Sequence, residues 1–213
     1  MATKADKKNE IRKDIIDSAI IYSQCLAGKA FLYVYVDEFF EVLFPTNRFL
    51  HLTGVETYLS AKEFYKNAKK GTLTNKQFYF DARHPYANAK KKLPCLKRLP
   101  ELTNEMICIL KDMQTDTVVY KLSVSNLEIT LGLTEDIDDK GNKVNEFFLP
   151  MSLRVEDSSV EKSKDGEIVD FIFTKDASKM KYEAILVADR KKSIPDNIKH
   201  LISEELIKKE NAV

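Results

Sequence analysis

Apolar positions along the chain change their spacing twice, and each change predicts a different kind of element. From Glu10, the residues Ile11, Ile15, Ile16, Ala19, Ile20 and Tyr22 recur at helical intervals, so a helix is expected to run to about Gly28, with Met1–Asn9 frayed. Ala30–Val36 is β-branched and aromatic with no polar break, which predicts a strand. Phe39–Phe44 stays apolar up to Pro45, Thr46–Asn47 reads as a turn, and Arg48–Thr53 is expected to pair back as the second arm of a hairpin. Ser60 and Glu63 form the Ser-x-x-Glu capping pattern and predict a helix over Ala61–Lys70, closed by Gly71. A short turn follows at Thr74–Gln77, Phe78-Tyr79-Phe80 is expected to pack inward, and Asp81–Asn88, with its His84-Pro85 pair, reads as a loop. Helical spacing returns from Leu102 through Met106, Ile109, Leu110 and Met113.

Beyond Thr117 the pattern becomes one of short strands. Val118–Val124, Asn126–Leu133, Glu146–Leu153, Glu167–Thr174 and Tyr182–Ala188 are separated by polar turns at Asp138–Asn142, Ser158–Gly166 and Asp176–Lys179. Asp196–Lys208 has one apolar face and predicts a closing helix. The resulting fold class is α+β, with N-terminal helices packed on a curved antiparallel sheet. Residues 1–18 are assigned to an N-terminal extension and the start of the first helix, 19–190 to one compact domain, and 191–213 to the C-terminal helix.

Composition narrows the choice of chemistry. The 213 residues carry a formal net charge of +1, so an anionic partner must be held by a local patch rather than by the whole molecule. Three scattered cysteines without a Cys-x-x-Cys pair disfavour a zinc site or a disulfide framework and suit a reducing cytoplasm. No secretory signal and no apolar run of membrane-spanning length is seen. The fingerprints of dinucleotide enzymes, P-loop ATPases, zincins and α/β-hydrolases are absent. His51, His84 and His200 are far apart in sequence, and Asp136, Asp138 and Asp139 sit in a Gly-Asn turn that does not meet a calcium-loop pattern.

Histidine, basic residues and hydroxyls remain, and these suit cleavage of RNA without a metal or cofactor. That reaction needs a base for the ribose 2′-OH, an acid for the leaving 5′ oxygen, and cations for the phosphorane. On an extended Phe49–Thr53, His51 and Thr53 would share one face and Leu50 and Leu52 the other. His51 is the candidate for proton transfer, Thr53 supplies a hydroxyl, and Arg154 and Lys175, each at a strand end, supply charge. Lys90, Lys91, Lys92, Lys97 and Arg98, five cations in nine positions, are candidates for holding the phosphate backbone, together with Lys62 on the capped helix. The structural alternatives are a satisfied strand histidine, rim charges and a solvated basic face.

The segments Phe49-Leu50-His51-Leu52-Thr53-Gly54-Val55 and Leu59-Ser60-Ala61-Lys62-Glu63-Phe64-Tyr65 resemble the phage-associated barnase–EndoU–colicin–RelE-like nuclease family, in its fourth type. Leu149–Leu153, Val169–Lys175 and the basic Lys90–Pro100 stretch are similar to later blocks of that family, so the resemblance covers roughly Ala19–Val187. It implies a compact α+β fold and an RNase encoded by phages or prophages. The first reading is therefore a metal-independent ribonuclease acting on RNA in the cytoplasm of a host cell as a toxin or takeover factor. The alternative is a non-enzymatic phage protein that uses the same fold to bind and block a host defence component.

Overall fold

The computed structural model describes residues 3–115, 118–155, 163 and 166–210. The first helix, α1 (Lys4–Cys25), begins six residues earlier than the apolar spacing predicts. Thr3 and Asp6 form a reciprocal capping box there, which satisfies amide groups that would otherwise fray. Ile11, Ile15, Ser18, Ala19 and Tyr22 are its buried stripe. Strands β1 (Lys29–Tyr35) and β2 (Glu38–Leu43) follow as an antiparallel hairpin.

β1 is covered on both faces. Phe31, Tyr33 and Tyr35 join the larger core with α1, whereas Ala30, Leu32 and Val34 join a second core with Phe171, Phe173, Tyr182 and Ile198. Two-sided burial accounts for the unbroken apolar run in the sequence.

After β2 the expected hairpin arm is replaced by a 3-10 turn at Thr46–Arg48 and a short helix, α2 (Phe49–Thr53). The small ribbon β3 (Glu56–Thr57) and β4 (Phe78–Tyr79) brackets α3 (Ala61–Lys69), which Ser60 and Glu63 cap reciprocally as predicted. The basic run is helical: α4 (Tyr86–Lys97) starts after Pro85 and carries Pro94 in its last turn.

The helix expected over Leu102–Met113 is only α5 (Glu101–Asn104), because Cys108–Gln114 is strand β5. Ile109 and Met113 fit both a four-residue and a two-residue period. Pairing of β5 with β6 (Val119–Ser125) decides between them. The meander continues through β7 (Ile129–Ile137) and β8 (Lys143–Val155), with the turn at Asp138–Asn142 placed as expected. The turn expected over 158–166 lies outside the described residues apart from Ser163 and Gly166. Then come β9 (Glu167–Ile168), β10 (Phe171–Asp176) and β11 (Ala184–Ala188). The closing helix is divided into a 3-10 stretch at Asp196–Leu201 and α6 (Glu204–Glu210), because Ile202 leaves the helix to bridge Tyr182.

Among the described residues the main sheet has the order β11-β10-β1-β2-β8-β7-β6-β5-β9. It is mixed rather than purely antiparallel, since β2 and β8 run parallel through Val42 and Phe148. This is an α+β fold. No described helix is long and apolar enough to cross a membrane.

The α3 cap is a defined test of local stability. Ser60→Ala removes both the acceptor for the Glu63 amide and the hydroxyl bonded to the Glu63 carboxylate. The expected cost is about 1 kcal/mol. Chemical denaturation reads it as a lower midpoint at unchanged slope, and an unmoved midpoint would refute the cap's contribution.

Candidate active site

The cleft is built around α2, and local packing explains why those five residues are helical. Phe49, Leu52 and Thr53 are buried, Leu50 is half-buried and His51 is exposed, which is the three-and-four spacing of a helix. Alternating leucines also fit a strand, so periodicity cannot separate the two over so short a segment. Aromatic packing separates them. The Phe49 ring lies 5.3 Å from Tyr22, 5.4 Å from Tyr65 and 6.3 Å from Phe64. Such contacts add about 0.5–1.5 kcal/mol per ring pair beyond area burial, more than a typical exposed ion pair contributes.

Gly54 then ends α2 in the left-handed region, at φ 75°. A Cβ there would lie 3.1 Å from Lys92 Cδ and 3.4 Å from the Ala89 backbone, so glycine both permits the left-handed turn and leaves the Lys92 side chain room where α2 meets α4. His51 and Lys92 thereby come to line the same cleft, of about 490 Å³.

The opposite wall comes from the sheet. Gly132 pairs with Ser152 and Leu133 with Pro150, so Met151 is an extra residue in β8. The bulge breaks the in-out alternation, and both Met151 and Ser152 line the cleft. Arg154 follows, with its guanidinium carbon 6.0 Å from the centre of the Tyr120 ring. Tyr120 in turn lies over Gly132, where a Cβ would meet the ring at 2.8 Å.

The remaining wall is the segment before α4. His84 donates its amide to Asp81 Oδ1 at 2.6 Å, fixing the loop. Its Nδ1 lies 3.4 Å from that carboxylate and 3.5 Å from Glu56, with which it forms ion pairs when protonated. Arg83 is exposed on the same rim.

The cleft therefore holds two histidines, Lys92, Arg154, Arg83, a carboxylate and two hydroxyl-bearing side chains. His51 is open to solvent on one side and flanked by protein on the other. Partial burial, then the Arg48 charge, and more weakly His84, push its pKa below the ordinary 6.5, against an opposing pull from Glu56. The Lys92 ammonium is also pushed down, first by burial and then by Arg154. Two cations turned toward one cavity favour an anion between them. A second groove continues from this one, sharing Asn88, Lys92, Ser152 and Arg154 and adding Lys91. Among the described residues no group of three or more His, Cys, Asp or Glu side chains is placed to hold a metal ion.

The sequence-derived candidates are thus redistributed. His51, Lys92 and Arg154 share the cleft, and Lys91 lies in the adjoining groove. Thr53 is buried, its hydroxyl donated to Leu50 O at 2.7 Å, because a helix turns it away from His51. Lys175 is not brought to this cleft. It pairs in register with Ala30 on the face of the second core, 4.5 Å from the centre of the Tyr182 ring and 3.8 Å from Glu41. Much of the basic run is engaged within the molecule. Lys90 faces Glu10 at 3.5 Å, Lys97 pairs with Asp14, and Arg98 makes a bidentate pair with Glu101 and a further bond to Glu128. Lys62 is exposed on α3.

His84, Glu56, Arg83, Ser152 and Tyr120 were missed by the sequence reading. One signal was available: acid–base cleavage needs a second proton-transfer group, and the chain has only three histidines.

No curated protein and no solved structure matches the chain. Residues 14–191 match the family described as phage-Barnase-EndoU-ColicinE5/D-RelE like nuclease4, and with most of its length inside that match the chain belongs to this nuclease family.

Proposed function

We propose that the protein is a metal-independent endoribonuclease acting in the cytoplasm of a phage-infected host cell as a toxin or takeover factor. The observation that carries this reading is the convergence of His51, His84, Lys92 and Arg154 on one cleft of a nuclease-family chain. The phage named in the family's description supports the setting.

In the proposed reaction His51, held neutral near pH 7 by its lowered pKa, takes the proton of the ribose 2′-OH. The 2′ oxygen bonds to phosphorus while the bond from phosphorus to the 5′ oxygen breaks. His84, fixed between Glu56 and Asp81, gives its proton to the departing oxygen. Lys92 and Arg154 hold the phosphate oxygens as charge builds on them, and attraction to that charge offsets their mutual repulsion. The products are a 2′,3′-cyclic phosphate and a 5′-OH. The adjoining groove, with Lys91, carries the continuing backbone.

Purified protein incubated with mixed RNA in EDTA should yield fragments ending in 2′,3′-cyclic phosphate. His51→Ala and His84→Ala should each lower the rate by about 10²–10⁴-fold, and Arg154→Ala by about 10²–10³-fold, with the fold intact by circular dichroism. Absence of cleavage by the unaltered protein, or equal cleavage by His51→Ala, would overturn the reading.

The pH profile supplies an independent check. A base must be unprotonated, so kcat/KM should fall as pH drops through the His51 pKa, with the acid limb below 6.5. Arg48→Met removes a charge that holds this pKa down and should move the acid limb to higher pH. An unmoved limb in that variant would assign the base to another group.

A further inference from the structure

A tyrosine pair adjoins the cleft on its β3 side. Glu56 and Tyr79 are direct cross-strand partners in the β3–β4 ribbon, and such partners present their side chains on one face. Tyr58, two residues beyond Glu56, falls on that face as well. Its ring lies 4.6 Å from that of Tyr79, with the planes 31° apart. Thr57 and Phe78, the other cross-strand pair, take the opposite face, where Phe78 is buried in the core. Glu56 is therefore the shared member: it lines the cleft, contacts His84, and stands beside the two rings.

Tyr58 is 72% exposed, although a ring of this size ordinarily gains by burial. The support beneath it is fixed. Lys8, from α1, donates to the carbonyls of Asn75 and Phe78 at 2.8 and 2.9 Å, and the Thr57 hydroxyl donates to Gln77 O at 2.6 Å. A solvent-facing aromatic surface on a rigid ribbon, beside a cationic cleft, matches what single-stranded nucleic acid requires: charge for the backbone and a ring face for a base.

We propose that Tyr58 and Tyr79 form a base-stacking subsite for a nucleotide adjoining the scissile phosphate, which makes the ligand single-stranded RNA. The proposal rests on the ribonuclease reading above and adds to it the strandedness of the substrate and the side from which it enters. A base stacked on Tyr58 lies on the side of the cleft that Glu56 and His84 border, and a paired duplex cannot offer that base face.

The chain contains no tryptophan, so Tyr58→Trp introduces a single fluorescent reporter at the subsite. The probe is a short single-stranded RNA, 2′-O-methylated throughout so that it binds without being cut. The expected result is quenching of the introduced indole's emission by this oligonucleotide and little quenching by one of equal length with abasic sites. Tyr58→Ala should bind the intact oligonucleotide roughly 5- to 100-fold more weakly, with an unchanged melting midpoint because the ring is mostly exposed. In cleavage of unblocked RNA, Tyr58→Ala should raise KM more than it lowers kcat. Equal quenching by intact and abasic oligonucleotides, or equal affinity of Tyr58→Ala and the unaltered protein, would overturn the subsite. If unblocked RNA is nevertheless cut, the ribonuclease reading survives that failure. Base-dependent quenching without cleavage would uphold the subsite and overturn the reaction.

Discussion

The close approach of Gly54 to α4 is the contact on which the cleft depends. It requires a residue that tolerates φ 75° and also leaves room for Lys92 and the Ala89 backbone. Any side chain there would strain the backbone at this φ and crowd the Lys92 side chain against α4. The consequences pass outward along each helix. On α2, the aromatic anchor of Phe49 sets the axis, so a shift at Gly54 would be felt at His51. On α4, the same displacement would move Lys92 relative to Arg154. Gly132 plays a parallel part in the sheet wall by leaving room for the Tyr120 ring beside the guanidinium.

Charge is arranged locally rather than in bulk. A chain with net charge +1 has little field at long range, and α4 commits Lys90 and Lys97 to acidic residues of α1, with Arg98 just beyond it pairing to Glu101 and Glu128. These pairs attach the helix and leave Lys91 and Lys92 turned toward the grooves. The Lys92 and His51 pKa values are both held down, so protonation of either group disfavours the folded state. For His51 this makes stability fall as pH drops through the range just below and around 6.5. An anion bound between the cations would relieve part of the strain, and occupancy would then raise stability by mass action.

Elements with an unambiguous period or cap are legible in the sequence: α1, the Ser60-capped α3, the two-sided β1 and the turn at Asp138–Asn142. Elements whose apolar residues fit two periods are not. Phe49–Thr53 and Cys108–Gln114 depart from their expected periods in opposite directions, because five or seven residues do not separate alternation from helical spacing. The site divides along the same line. His51, Lys92 and Arg154 are nameable from residue type, but their grouping comes from tertiary contacts. Thr53 follows the helical period off the face, and Lys175 lies on β10, which β1 and β2 separate from the cleft strand β8. His84 lies in a loop, where spacing has no meaning, and only the fold sets it beside Glu56 and Asp81 at the cleft.

The parallel contact between β2 and β8 has a consequence for synthesis. Everything through α4 supplies both histidines, the tyrosine ribbon and Lys92, yet Arg154, Ser152 and Tyr120 lie on strands made much later. A nascent chain that has emerged as far as α4 therefore carries half a cleft, open where the bulged strand will dock. The sheet wall of the cleft closes only when β8 is added beside β2, a pairing across a long stretch of chain and so a slow one. Translation thus reaches its last third before Lys92 and Arg154 can face one cavity, and a truncated product ending before β8 has no such place.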